Sequence, residues 1–135
     1  MKEQFEVTLE NSKNYTLAVA NAMPEKDYHF KPAGAGWDFG ELLNHIAYGI
    51  EWWESNFIKG DKIEWNPPTV KEKKKEITGL LEKAYASLSA AAAKTKWNDN
   101  SIQGFHATID HITHHRGQAV LFLRCKGIEP PEYVY

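Results

Sequence analysis

Three of the six histidines fall within DHITHHRGQ, residues 110–118, a little more than two helical turns. Neutral imidazole is a common ligand for divalent transition metals, but a site needs two such rings on one face and a third ligand from elsewhere in the fold. On a helical wheel with His111 at zero, the apolar residues Phe105, Ile109, Ile112, Ala119, Val120 and Leu123 centre near about 110°. His115 then falls at about 40° and His114 at about 300°, so His111 and His115 border the core face while His114 points away from it. The same construction around His45 places Phe39, Leu42, Leu43, Ile46, Ile50, Trp53 and Phe57 near about 110°, the same offset in the same sense. Packed helix axes lie about 8–10 Å apart, close enough for imidazoles on two such edges to meet. His45, His111 and His115 are therefore the candidate metal ligands, and three imidazoles leave a coordination position open to water, a thiolate or a substrate. The competing reading is three boundary histidines bonded to carbonyls or water.

Neighbouring residues are sorted by the same geometry. Gln118 lies about one turn beyond His115, and Trp52 and Asn56 lie about two and three turns along the His45 stripe, which makes them candidate pocket lining. Trp52 fits core or interface packing equally well. Arg116 projects toward the apolar side and is expected to anchor an ion pair or helix carbonyls. His29, in a loop, and His106, about 220° round the wheel, are expected to be ordinary polar residues. Cys125 sits roughly 15 Å beyond His115 along a helix and cannot join the ligand set within one chain.

Four helical segments must position these residues, separated by breaks around MPEKDYHFKPAGAG, KGDKIEWNPP and KTKWNDN. The first runs from about Lys2 to Ala22, with an apolar stripe interrupted by Ser12 and Thr16. The second opens on Asp38 and Glu41, a capping-box pair, and continues from Phe39 to about Lys59. Thr69 and Glu72, directly after Pro67 and Pro68, predict the start of the third. The fourth is expected from near Asn100 or Ser101 to Gly127, with Pro130 and Pro131 preventing its resumption. The connection after the second helix reads as short, with no inserted lid. No segment alternates with period two, so the expected class is all-α, a four-helix bundle forming a single domain over residues 1–135.

Sixteen Lys and Arg against eighteen Asp and Glu give a net charge of −2, which builds no positive field for nucleic acid or an anionic membrane. The KEKKKE run, residues 71–76, alternates charge and reads as a solvated face. No apolar run approaches the roughly 20 residues of a membrane span. With a polar start and one cysteine, a soluble, cytoplasmic protein is expected. The five tryptophans and six tyrosines are assigned to the core and a subunit interface.

GELLNHIAYGIEWW around His45, DHITHHRGQAVLFLRCKGIEPPEY around His111 and His115, and the MPEKDYHFKP loop together resemble the DinB-like family of metal-binding four-helix proteins. The resemblance spans essentially the whole chain. It implies an up-down-down-up bundle with a metal held by one histidine of helix two and an HxxxH pair of helix four, at positions matching His45, His111 and His115. It further implies a divalent ion, zinc or nickel foremost, and a low-molecular-weight thiol as cofactor for S-transfer or isomerisation of a small-molecule substrate. Stress induction and a homodimer are also implied. The alternatives are a non-catalytic metal-binding stress protein and an interaction module.

Overall fold

The computed structural model describes residues 1–133, so the last two residues of the expected 1–135 unit lie outside the description. Among the described residues there are four α-helices and no strand: α1 Lys2–Ala22, α2 Phe39–Trp53, α3 Lys74–Lys94 and α4 Asp99–Cys125. A short 3₁₀ turn, Glu25–Asp27, follows α1, and a π-helical turn, Glu54–Ile58, prolongs α2 close to the Lys59 expected from its pattern. Each of α1 and α2 packs against both α3 and α4. Leu42, Leu43, Ile46 and Ile50 of α2 meet Ile77, Leu81 and Leu88 of α3 and Phe105, Ile112 and Leu123 of α4 in one buried cluster, which Phe5, Leu9 and Val19 of α1 complete.

Helix termini follow their local chemistry. Asp38 Oδ1 accepts from the Glu41 amide at 2.7 Å and Glu41 Oε1 accepts from the Asp38 amide at 3.1 Å, closing the expected capping box on α2. α4 starts slightly earlier than expected because Asn98 and Ser101 form a second box. Its end is a glycine-capped stop: Gly127 takes φ 73°, its amide bonds the Arg124 carbonyl, and the Ile128 amide bonds that of Leu123. α1 ends without a glycine, and the Lys74 ammonium instead donates to the carbonyls of Asn21 and Met23.

Ser12 and Thr16 do not interrupt the α1 stripe. Both are buried, and both hydroxyls lie 2.9 Å from the buried Tyr85 hydroxyl of α3. Arg116 of α4 completes this layer by donating to the Ser12 carbonyl and the Thr16 hydroxyl, and its guanidinium packs over Tyr15 at 4.9 Å. The expected anchoring of Arg116 thus takes the helix-carbonyl form; among the described residues it forms no ion pair. Buried polar groups are tolerable only when satisfied, and here three helices satisfy one another.

Two expectations are corrected at the α2–α3 connection. α3 begins at Lys74 with no side-chain cap, so Thr69 and Glu72 form no capping box. The connection is also not short: residues 59–73 form an irregular strap, neither helix nor strand, along α2. Consecutive prolines disfavour helix at the preceding position, and Asn44 of α2 then takes both backbone groups of Lys71, accepting from its amide at 2.9 Å and donating to its carbonyl at 2.9 Å. Ile63 is tied in the same manner, its carbonyl by the Trp52 indole N–H and its amide by Asn56 Oδ1, while the Asn66 amide donates to the Tyr48 hydroxyl.

Candidate metal centre

Where α2 crosses α4, the side chains at the crossing decide how closely the helices approach. Gly49 of α2 supplies the room: a Cβ there would lie 2.5 Å from His111 Cε1 and 2.7 Å from His111 Nδ1. The bare backbone lets the Cε1–Nδ1 edge of the His111 ring press against α2, with Nε2 turned toward His45. Gly104 does the same one level away, where a Cβ would meet Phe57.

The result is a convergence of three rings. His111 Nε2 and His115 Nε2 lie 2.9 and 3.0 Å from His45 Nε2, and a ligand atom from each of the three can be chosen so that all lie within 4.8 Å of one another. Imidazole nitrogens bound tetrahedrally at about 2.0–2.1 Å from one ion stand about 3.4 Å apart, so a small outward movement of the rings fits this donor set to a divalent cation. His115 Nδ1 donates to Gln118 Oε1 at 2.9 Å, which leaves the lone pair of its Nε2 facing the cluster. His111 Nδ1 is buried against Gly49 without a hydrogen-bond partner.

Electrostatics keeps the rings in the ligating form. Burial, reinforced by the neighbouring His115, lowers the His45 pKa to about 4. Burial and then the surrounding histidines lower that of His111 to about 4 as well. His115 is lowered by burial, with the Gln118 hydrogen bond opposing the shift and His114 adding to it. The lowered pKa values favour neutral imidazoles at pH 7, the form that ligates a metal, and a metal would displace only the single N–H proton that bridges the facing nitrogens.

Aromatic rings surround the cluster. Trp37 packs at a tilt against His45 with centroids 4.4 Å apart, Trp53 against His111 at 4.7 Å, and Trp65 of the strap stands 5.5 Å from His45. Beside His45, between α2 and the strap, lies a cavity of about 510 Å³ lined by Trp37, Asn44, Tyr48, Glu51, Trp65 and Lys71 among others.

A model of the DinB superfamily matches residues 8–119, most of the chain and all three histidines. The chain belongs to the DinB superfamily. No curated protein matches the DinB chain. Its fold is similar to that of a DinB-like protein from Bacillus cereus ATCC 10987, at 21% identity, covering 98% of this chain and 97% of that one, with a TM-score of 0.81. A DinB-like protein from Bacillus subtilis is similar over 96% of this chain and 97% of that one, at 18% identity and a TM-score of 0.75.

Within this DinB fold the structure gathers His45, His111 and His115 into one cluster and leaves the other histidines out. His114 is exposed, its ring beside that of His115; His29 is exposed near Asp38, and His106 lies edge-on to Phe5. Cys125 is exposed near the end of α4. Gln118 orients His115, whereas the polar groups of Trp52 and Asn56 bind the strap. Sequence reasoning missed Gly49, Trp37 and Trp65. The double proline after Trp65 was the available signal against a helix there; nothing local tied it to His45.

Proposed function

We propose that this DinB protein holds a divalent ion, zinc or nickel, between His45, His111 and His115 and activates a small thiol or water for attack on a small electrophile. The observation that carries this reading is the convergence of three Nε2 atoms from two helices beside a cavity. Three imidazoles suit both ions by softness and geometry. When bound, such an ion supplies Lewis acidity that lowers the pKa of a thiol or water sharing its coordination sphere. The chain's own contribution is orientation and shelter: Gln118 fixes the His115 tautomer, Gly49 admits the His111 ring, and Trp37, Trp53 and Trp65 limit water around the imidazoles. The family's up-down-down-up order belongs to the same proposal. It is supported by Phe5 beside Phe105, Gly104 against Phe57, and Glu54 bonded to Ser87.

The test is elemental analysis of protein purified without chelator, alongside His45→Ala and His115→Ala. About one ion per chain is expected in wild type, with loss in each variant. Wild type that carries no ion and cannot be reconstituted overturns the metal reading. A panel of low-molecular-weight thiols with monochlorobimane tests turnover, which must fall when the histidines are replaced.

A further inference from the structure

We propose that the cavity between α2 and the strap binds the cationic amine end of a small organic ligand, with Trp37, Tyr48 and Trp65 as aromatic walls and Glu51 as counter-charge. Calling that ligand the substrate rests on the function proposed above; the binding itself does not.

Two indoles stand open to solvent on this wall, Trp37 at 39% and Trp65 at 42% exposure, one on each side of His45. Leaving such large apolar surfaces wet forgoes burial that would stabilise the fold. Both are nevertheless held in place. Trp37 packs at a tilt against His45, and Trp65 meets Tyr48 edge-on at 4.7 Å and Trp52 at 5.6 Å. The Tyr48 hydroxyl is itself fixed by the Asn66 amide. The walls are thus organised before any ligand enters, which lowers the entropy cost of binding.

Charge selects among ligands. The lining carries two carboxylates, Glu41 and Glu51, against one ammonium, Lys71. Glu41 is engaged in the α2 capping box. Among the described residues, Glu51 has neither a hydrogen bond nor an ion pair from its side chain, and Lys71 pairs with neither carboxylate. A neutral aromatic ligand would use the rings and leave Glu51 without a partner. An anion would be repelled by both carboxylates. Electron-rich ring faces beside an unpaired carboxylate suit a protonated or quaternary amine. Along α2, Tyr48 and Glu51 lie roughly 4.5 and 9 Å beyond His45, so a cation held there leaves the rest of the ligand within reach of the imidazoles.

The experiment is calorimetric titration of the protein, as purified and after chelation, with choline and with its neutral isostere 3,3-dimethylbutan-1-ol. Choline is expected to saturate and to bind about tenfold more tightly than the isostere. Glu51→Gln, whose fold is verified by an unchanged thermal melt, is expected to lose most of that preference while retaining the metal. Equal affinities, no saturable choline binding, or an unchanged preference in Glu51→Gln overturns the proposal. Choline discrimination by protein that cannot take up metal upholds the cavity and removes the metal reading. Full metal occupancy without discrimination does the reverse.

Discussion

His45, His111 and His115 are each partly buried imidazoles that face two others, and protonation must overcome both lost solvation and mutual repulsion. Their folded-state pKa values therefore lie below the unfolded value of about 6.5. Between about 6.5 and about 4 the unfolded chain binds more protons than the folded one, so stability rises with pH across that window. Metal-free protein is expected to have its full stability above pH 6.5 and to lose it progressively down to about pH 4. Each ring adds at most about 1.4 kcal/mol per pH unit, so the summed slope should stay below about 4 kcal/mol per pH unit, and solvent access to all three rings reduces it further. Urea midpoints of chelated protein at a series of pH values measure this. A flat profile across that window would show that the rings are not held neutral together.

At the scale of the elements, the site depends on how closely α2 and α4 approach. Gly49→Ala places a methyl within 2.5 Å of His111 Cε1, and a ring packed against Trp53 has little room to retreat. The variant is expected to fold yet bind metal at least about tenfold more weakly, since ligand orientation is what it disturbs. Gly117→Ala on α4 is the contrast: no atom lies within 4 Å of its added methyl, so it should raise helix stability by about 0.5–1 kcal/mol and leave metal affinity unchanged. Wild-type affinity in Gly49→Ala would refute the packing argument. The helices and the histidine edges were legible in the sequence because period, caps and wheel angle are local properties. Phe39 to Ile50 has one strongly apolar face, and Asp38 with Glu41 marks its start. The strap was not legible. Thr69 and Glu72 make a sound local capping signature, and what defeats it is Asn44, a residue remote in sequence that takes the backbone of Lys71. Ser12 and Thr16 misled for the same reason, since only Tyr85 and Arg116 make their burial tolerable.

Across the whole molecule, an ion at this position would join α2 to α4 at ligands 66 and 70 residues apart in the chain. The unfolded chain does not hold the three imidazoles together, so binding favours the folded state and appears as added stability. At a free metal concentration about one hundred times the dissociation constant, linkage gives about 2.7 kcal/mol. For a chain of this size that corresponds to a rise in melting temperature of roughly 5–15 °C. The midpoint should climb with the logarithm of metal concentration and fall back on chelation. His115→Ala removes one of three ligands and should melt at a temperature that chelator barely changes, while Arg116→Lys, which disturbs the polar layer, should melt lower with and without metal yet keep the chelator shift. Differential scanning calorimetry of the three proteins, each with and without chelator, separates the two roles. A wild-type midpoint unmoved by metal would mean that the convergence of the rings contributes nothing through a bound ion to holding these helices together.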